Sequence, residues 1–473
     1  MDQAPPETSR PLWREEATQL LRLAVPVMAT FILGYLPGVL SLIFVGHINH
    51  PDAKEYLAAA SLSDMFFNVT GYSIGLGLAS AMDTLASQAF GAGNVKRIGI
   101  LLQTGSLVLF IVCVPIAVLN LSSTHVLLAL DQPTNVAALA GPYSTCLVFG
   151  LPFLYAYELL KRALQAQNIA WPMLYSTLLA NAVNAVVGYL LVYHTSVGYL
   201  GAAIGRASAM MSLPLSLLPY FHVTPGACDF WPGLHGRAAV RGVGEFLVVG
   251  TPGMLMMMFE WCSFEILALF AGVLPNAVVA IGANAVTVNI FSVVDWIYYG
   301  LNVSATVRVG NAIGGDDVPR ARAATSAALA TAAVLALCFA SLLLATRWVI
   351  PNLFTNDRDV SALVASVAVV LVLFQVPQGV NQTMQGVLRG YGLQNYGAVI
   401  NCVAYMGIGL PVAYLLAFTN AYGLQGLWMG MGIGFAFAGA SSLLLLRFAN
   451  IDGVIEKKQV QTLEERSRYV IVS

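Results

Sequence analysis

Charged residues are scarce in this sequence: Asp, Glu, Lys and Arg together make up 10% of its 473 residues, whereas about 25% is usual in soluble domains. So small a polar share cannot coat a water-soluble globule of this size. The formal net charge is only -1 and no long basic tract occurs, which argues against a nucleic-acid partner. The six cysteines form no CxxC motif and no cysteine–histidine spacing, so we expect no disulfide scaffold, no metal site and no cofactor.

Hydrophobic residues account for 58% of the sequence, and they recur in runs of about 20 residues or more, the length with which a helix crosses a bilayer. The sequence therefore predicts an all-α membrane protein with twelve transmembrane helices and both termini on one side. The predicted spans, numbered in chain order, cover residues 24–46, 57–80, 98–121, 138–157, 172–193, 198–221, 246–273, 278–303, 324–346, 361–386, 396–418 and 423–446. The start of the chain is polar and lacks a short apolar core, so we expect no cleaved signal peptide.

Lysine and arginine residues are distributed unevenly over the predicted loops. Most of the 22 fall on the side of the termini, among them Lys161, Arg162, Arg308 and Arg389. The opposite loops hold Lys54, Arg347 and Arg358. Because short cytoplasmic loops carry an excess of positive charge, we expect cytoplasmic termini, in the plasma membrane or in a vacuolar or other organellar membrane. Arg206 lies within span 6, and we expect its long side chain to extend to the outer interface.

The sequence repeats itself weakly at an offset of about 226 residues. Pro26 corresponds to Pro252 and Gly46 corresponds to Gly272, both at an offset of 226, and further matches continue along both halves. Six spans per half predict a parallel repeat, with two pseudo-symmetric six-helix bundles and a cleft between them, which is typical of a secondary transporter. The predicted segments are an N-terminal segment 1–23, an N-lobe 24–221, a linker 222–244, a C-lobe 245–446 and a tail 447–473.

Few ionisable side chains lie at bilayer depth, where each costs about 2.5–3.5 kcal/mol and is usually functional. Glu260 is the clearest candidate, because it lies midway along span 7 among large apolar residues. Apolar surroundings disfavour a charged carboxyl, so Glu260 is suited to exchange a proton. Glu265 follows five positions later on a different face of the helix, and we expect it nearer the outer mouth of the same cavity.

Other polar and aromatic residues are candidates to line that cavity. Asp64 and Asn68 are four residues apart and therefore share one face of span 2. Asp295 opens an aromatic stretch that includes Tyr298, and Trp261 follows Glu260 directly. Aromatic faces beside carboxylates suit an organic cation, although for each aromatic residue alone ordinary packing or a place at the membrane interface is the better explanation.

Several stretches of the sequence occur together in one order. They are Phe44–Ile48, Asn68–Gly71, Gly75–Gly91, Val307-Arg-Val-Gly-Asn-Ala312 and Gly386-Val-Leu-Arg-Gly-Tyr-Gly392. In this order the chain resembles the eukaryotic type of the multidrug and toxic compound extrusion (MATE) family over residues 20 to 446. The resemblance implies a V-shaped molecule of two six-helix lobes that exports organic, often cationic, compounds in exchange for protons or sodium.

By the same resemblance, Glu260 and Glu265 match the two span-7 glutamates of eukaryotic members, and Asn68 matches a polar cavity residue of the first lobe. This chain departs from the family pattern in two places. Gln378 and Asn381 stand in span 10, where relatives often have an acid, and Asn289 stands where some have a span-8 glutamate. A sodium site requires several hard oxygen ligands, whereas a proton site requires one carboxyl. The missing carboxylate therefore weakens a sodium site more than a proton site.

The sequence thus predicts a monomeric secondary active antiporter, surrounded by membrane lipids, that exports organic cations, xenobiotics or amphipathic metabolites in exchange for protons. A sodium-coupled exporter is one alternative. A flippase for lipid-linked oligosaccharides is another, although it would want a cationic cavity. A membrane enzyme would need clustered His, Asp or Lys residues near one interface, and the six histidines are not grouped.

Overall fold

The computed structural model describes residues 12–355 and 357–448, and all regular secondary structure in this part of the chain is helical, without strands. Residues 1–11 of the predicted N-terminal segment and residues 449–473 of the predicted tail lie outside the described residues. Within the described part, nine helices are long and apolar enough to span a bilayer, and a bent pair makes ten. The two remaining passes are divided into shorter helices, so the chain makes twelve passes in all.

Eight of the twelve spans are unbroken helices. They are span 1 (Leu12–Gly46), span 3 (Val95–Leu121), span 5 (Trp171–His194), span 7 (Gly236–Gly272), span 8 (Ala277–Gly314), span 9 (Val318–Thr346), span 10 (Arg358–Tyr391) and span 12 (Gly423–Phe448). Short helices, Ser123–Ala129 and Ile350–Leu353, lie in two of the connections.

Four spans are interrupted. Span 2 consists of Ala53–Phe67, a π-helical turn Asn68–Tyr72, Ser73–Ala79 and Ala81–Gly91. Span 4 consists of Thr134–Val148 and Leu151–Ala166, which meet at a bend of 45°. Span 6 consists of Leu200–Leu215 and Leu217–Val223. Span 11 runs through Gln394–Asn401, Cys402–Gly409, Leu410–Tyr414 and Leu415–Thr419, of which the second and fourth pieces are π-helical.

Several helices extend well beyond the apolar runs that predicted them. Span 1 begins at Leu12 rather than at residue 24, and span 7 begins at Gly236 rather than at 246. At 1.5 Å per residue the helix of span 8 is about 57 Å long, whereas the hydrocarbon layer is about 30 Å thick. Apolar runs therefore mark the bilayer but not the helix ends, and the predicted linker 222–244 is too long.

The connection between the two halves is the non-helical segment 224–235. This segment packs against span 3: Gln103 Nε2 donates to the carbonyl of Gly233 at 2.9 Å, and Gln103 Oε1 accepts from the backbone of His235 at 2.8 Å. Phe230, within this segment, is buried. The connection is thus anchored to the N-terminal half rather than extended into solvent.

We call spans 1–6 the N-lobe and spans 7–12 the C-lobe, and the end of the bundle at which span 1 begins the terminal end. Glu16, in the second turn of span 1, is buried and forms an ion pair with Arg308 of span 8 at 2.7 Å. An apolar core also crosses the lobes here, joining Leu20 and Ala24 to residues of spans 8, 9 and 10. The lobes are therefore held together over the terminal half of the bundle.

Candidate functional site

A frame of glutamine amides holds Glu260 of span 7. Gln382 Nε2 donates to Glu260 Oε1 at 2.7 Å, and Gln385 Nε2 donates to Glu260 Oε2 at 3.3 Å. All three side chains are buried. Both glutamines lie on span 10, three positions apart and hence on one helix face. The carboxyl of Glu260 is therefore solvated by neutral amides instead of water.

The same amide frame holds Asp295 of span 8. Gln382 Nε2 also lies 3.2 Å from Asp295 Oδ1, and Gln378 Nε2 donates to that oxygen at 3.1 Å. One amide nitrogen thus bonds two carboxyls, which places Glu260 and Asp295 side by side. We call these two residues the carboxyl pair. The glutamines recur on span 10 at intervals of four and three residues, a helical pattern that was visible in the sequence and that our sequence analysis did not use.

The carboxyl pair forms no ion pair with any residue that the structure describes. Two neighbouring carboxylates repel each other strongly in a medium of low dielectric constant. Such a pair is relieved when it takes up a proton or when a cation binds between the two groups. The arrangement is therefore chemically suited to take up a proton or a cation.

Aromatic rings beside the carboxyl pair cross the boundary between the lobes. Trp261 stacks on Tyr72 of span 2 with ring centroids 6.0 Å apart, and it meets Trp296 edge-on at 6.4 Å. Trp296 in turn stacks on Phe31 of span 1 at 5.8 Å. We call Phe31, Tyr72, Trp261 and Trp296 the aromatic bridge. Three of its four rings are only half-buried, so a flat ligand can reach them.

Three other predicted residues lie outside the carboxyl pair, and one of them contacts the opposite lobe. Asn289 Oδ1 accepts a hydrogen bond from Tyr35 of span 1 at 3.1 Å. Asn68 begins the π-helical turn of span 2 and is half-buried. Glu265 is half-buried and lies further from the terminal end than Glu260. None of the three contacts the carboxyl pair through a hydrogen bond among the described residues.

Two of the predicted cavity residues are instead buried inside the C-lobe. The hydroxyl of Tyr298 donates to Gln375 Oε1 at 3.1 Å, and Asn381 Nδ2 donates to the hydroxyl of Tyr405 at 2.8 Å. Both predicted residues have no exposed surface. Asn381 follows the helical turn about 100° away from Gln382, so it faces span 11 and not the carboxyl pair. The prediction that these two side chains line a cavity is therefore corrected.

Asp64 and Arg206 form an ion pair within the N-lobe. Arg206 Nη1 lies 2.5 Å from Asp64 Oδ1, and the guanidinium also lies over the ring of Phe67 at 5.9 Å. Both charged groups are largely buried. The expectation that Arg206 extends to the membrane interface is therefore wrong, because a nearer partner satisfies its charge. Asp64, predicted as a cavity acid, is neutralised by the same contact.

A second set of N-lobe charges was missed by the sequence analysis. Asp83 bonds to Arg162, and Lys161 Nζ lies 2.5 Å from Glu158 Oε1. All four side chains are buried, so Lys161 and Arg162 are not loop charges as their place in the sequence indicated. The spacing of Glu158 three and four residues before these cations was the available signal. The ammonium of Lys161 also lies 4.6 Å from the ring centre of Phe31 in the aromatic bridge.

The glycine-rich stretches that carried the resemblance meet one another at the terminal end. Ser87 of span 2 packs against Gly310 of span 8 so closely that any side chain at position 310 would clash. Thr84 donates its hydroxyl to the carbonyl of Arg389 of span 10 at 2.9 Å. These stretches therefore build the contact between the lobes, and only indirectly the cavity.

Comparison with known proteins agrees with this architecture. The sequence matches the MatE family over residues 26–190 and again over 252–415, so the two matched stretches begin 226 residues apart and confirm the internal repeat. Multidrug and toxin extrusion protein 2 of Mus musculus is 36% identical over 448 residues, covering 95% of this chain and 77% of the relative. Multidrug and toxin extrusion protein 1 of Oryctolagus cuniculus is 35% identical over 419 residues, covering 89% and 72%.

Solved structures share the fold. The crystal structure of the eukaryotic MATE transporter AtDTX14 superposes with a TM-score of 0.88 at 30% sequence identity, covering 95% of this chain and 99% of that one. A multidrug resistance MATE family transporter in an outward-facing conformation superposes with a TM-score of 0.82 at 19% identity, covering 95% and 100%. The predicted arrangement of twelve helices in two six-helix bundles is confirmed.

Proposed function

The chain belongs to the MatE family, and from that premise we propose that it is a secondary active antiporter that exports organic cations in exchange for protons. The observation that carries the proposal is the carboxyl pair, in which Glu260 is buried and Asp295 is half-buried. Glutamine amides hold both carboxyls, and neither has a cationic partner among the described residues. Glu260 is the principal proton-coupling group. Glu265, nearer the open end, is a secondary one.

Exchange follows from competition for the carboxyl pair. An organic cation gains Coulomb energy beside ionised carboxylates in a medium of low dielectric constant, and it loses that energy once the pair is protonated. Proton uptake therefore releases the cation, and proton loss prepares the site for the next one. Because the two ligands exclude each other, each can select a different arrangement of the lobes.

The aromatic bridge supports a planar or quaternary cation as the substrate. Cations are attracted to the faces of Trp and Tyr rings within about 6 Å, most strongly where water is excluded. Trp261 and Trp296 are the residues next to Glu260 and Asp295 on spans 7 and 8, and their rings meet each other at 6.4 Å. A flat cation at this place would contact both lobes at once, which couples its binding to their relative movement.

The amide frame favours protons over sodium as the driving ion. Gln378, Gln382 and Gln385 all present N–H groups to the carboxyl pair, whereas sodium, a hard cation, needs oxygen ligands. The acidic character of the pair likewise does not suit the cationic cavity that an oligosaccharide flippase would want. The neutral residues Gln378, Asn289 and Asn68 would then shape the cavity instead of binding an ion.

We further propose that the terminal end of the bundle is cytoplasmic, with the predicted division into lobes, linker and tail retained apart from the corrected linker bounds. The interlobe contacts would then close the cytoplasmic side and leave the cleft open to the outside, where a cation is released. The protein would act as a monomer in the plasma membrane or in a vacuolar or other organellar membrane. Lys and Arg residues near the terminal ends of the spans, among them Arg22, Lys96 and Arg237, support this orientation.

Transport into proteoliposomes tests the proposal. The purified protein is reconstituted in sodium-free buffer, a pH difference is imposed, and uptake of tetraethylammonium or a fluorescent dye cation is measured. We expect uptake that follows the pH difference and stops when a protonophore collapses it. A strict requirement for sodium, or movement of citrate and sulfated compounds instead of cations, would contradict the proposal.

A further inference from the structure

The amide frame of the carboxyl pair continues towards the terminal end of the C-lobe. Asn302 Nδ2 of span 8 donates to Gln382 Oε1 at 3.4 Å, and Asn302 Oδ1 accepts from Arg389 Nη2 at 2.5 Å. All three side chains are buried. A single asparagine therefore links the glutamine that bonds both carboxyls to a buried arginine.

Arg389 in turn reaches the N-lobe. Its Nη1 lies 3.8 Å from Asp83 Oδ2 of span 2, and Asp83 is bonded to Arg162 of span 4. Arg162 Nη2 lies 3.8 Å from Glu158, whose other oxygen holds Lys161. An unbroken series of polar contacts thus runs from one lobe to the other. We call the segment from Gln382 through Asn302 and Arg389 to Asp83 the polar relay.

The relay responds to the carboxyl pair through hydrogen-bond geometry. Glu260 and Asp295 orient Gln382 by holding its N–H, which turns the amide oxygen of Gln382 towards Asn302. When a bound cation or a proton weakens that hold, the amide of Gln382 is free to rotate. Asn302 Nδ2 then loses the oxygen to which it donates. Hydrogen bonds in a buried series strengthen one another, so the loss alters how Arg389 divides its contacts between Asn302 and Asp83.

Electrostatic interactions explain how a change at the carboxyl pair can reach Arg389, which does not contact it. The connected groups are the acids Asp83, Glu158, Glu260 and Asp295 and the cations Lys161, Arg162 and Arg389. Buried charges interact strongly across several ångströms. Neutralising one carboxylate of the pair therefore changes the field at Arg389. The other buried interlobe ion pair, Glu16 with Arg308, does not join this series through any contact among the described residues.

We propose that Asn302 and Arg389 are positioning residues that transmit the state of the carboxyl pair to the contact with Asp83, so that occupancy of the pair determines whether the lobes stay joined. This inference rests on the proposed exchange function. It assigns to Asn302 and Arg389 a role in coupling and not in binding, because neither side chain bonds Glu260 or Asp295 directly.

To test the role of Asn302 and Arg389, cation binding and the movement of the lobes are measured separately. Purified full-length protein in lipid nanodiscs carries spin labels on noncanonical amino acids at Lys54 and Val278, which are exposed near the non-terminal ends of spans 2 and 8. Binding of a fluorescent dye cation gives its affinity, and the distance distribution between the labels gives the arrangement of the lobes. In the protein with an unmodified relay, a saturating concentration of the dye cation should shift that distance distribution.

Two relay variants and one control decide the outcome. Asn302→Ala breaks both links of the relay, and Arg389→Lys keeps the charge but lacks the fork that reaches Asn302 and Asp83 together. Both should bind the cation within about threefold of the original affinity, while the cation-induced shift falls at least about fivefold. Thr84→Val removes an interlobe hydrogen bond to the backbone carbonyl of Arg389 but leaves every side-chain contact of the relay in place, and it should keep the shift.

The possible results separate this inference from the proposed function. If the relay-intact protein binds no cation, the proposed function fails. If it binds and responds, and Asn302→Ala and Arg389→Lys respond equally, the relay is overturned. A matching loss of response in Thr84→Val, or a loss of cation affinity in both relay variants, would also overturn it. Two relay variants are used so that a folding defect in one leaves the other decisive.

Discussion

The two lobes repeat one sequence pattern, yet they hold their buried acids in opposite ways. In the N-lobe every buried intramembrane acid described here has a cation: Asp64 has Arg206, Asp83 has Arg162 and Glu158 has Lys161. In the C-lobe the carboxyl pair has only glutamine amides. The same fold therefore carries acids that are neutralised permanently and acids that remain available.

One pair of matched positions illustrates the difference. Glu158 of span 4 corresponds to Gln385 of span 10 at an offset of 227 residues, and Arg162 corresponds to Arg389 at the same offset. The acid on span 4 became part of an ion-paired cluster, whereas the amide on span 10 supports Glu260. Removal of one partner from a buried ion pair lowers the free energy of unfolding strongly, so the ion-paired acids stabilise the N-lobe. An amide-held carboxyl can change its charge without orphaning a cation.

The largest expected effect concerns Glu260. Glu260→Gln keeps the shape of the side chain and removes its proton and its charge, so pH-driven cation uptake should fall by about 100-fold or more, the scale on which loss of a proton-transfer group acts. The protein should still fold, because no cation loses its partner. Transport in proteoliposomes and thermal unfolding of the purified protein check both halves of this expectation. Near-normal pH-driven uptake would remove Glu260 from the mechanism.

The N-lobe should behave in the opposite way. Asp83→Asn leaves Arg162 buried without its carboxylate, which should lower the free energy of unfolding by about 3–5 kcal/mol. We expect less folded protein and a lower melting temperature than for Glu260→Gln, measured side by side by fluorescence-detected chromatography and thermal unfolding. If Asp83→Asn is as stable as Glu260→Gln, the contrast between the lobes does not hold.

A smaller effect is expected at the second member of the carboxyl pair. Asp295→Asn leaves Glu260 to bind the proton and the cation alone, so the affinity for cations should fall about tenfold, equivalent to about 1.4 kcal/mol. Proton-driven uptake should persist at saturating substrate, which initial rates over a range of cation concentrations will show. Loss of uptake at every concentration would instead make Asp295 the essential carboxyl.

The smallest effect is expected at Glu265. This residue is half-buried and bonds none of the glutamines that hold the carboxyl pair, and a charge nearer to water interacts weakly. Glu265→Gln should therefore change cation uptake by less than about threefold. It also serves as the matched control for Glu260→Gln on the same helix. A loss as large as that of Glu260→Gln would show that partial exposure does not spare an acid in this lobe.

Much of the architecture was accessible from the sequence, because a bilayer imposes simple rules on it. Apolar runs of about 20 residues mark the spans, and the offset between Pro26 and Pro252 revealed two like lobes. Helix ends were less accessible, since span 8 continues to Gly314, far past its apolar run. In this extension nearly all residues from Val303 to Ile313 are buried against other helices, but Ser304, Thr306 and Arg308 interrupt the apolar run.

The candidate site was accessible only in part. Glu260 and Asp295 were recognised individually, because an acid among apolar residues is conspicuous in a sequence. Their proximity was not, since they lie on different spans and are joined by Gln382 of a third. Tyr298 and Asn381 were assigned to the cavity by residue type, but the rotation of their helices directs them into the lobe.

The sequence by itself determined that this chain crosses a membrane twelve times and that its halves repeat, because hydrophobic length and periodicity are local properties. The tertiary structure alone decided which acids are neutralised. Asp64 and Arg206 are distant in the sequence and adjacent in space, while Glu260 meets amides instead. The charge available to a substrate depends on such long-range pairings, since Coulomb interactions follow distance in space and not distance along the chain.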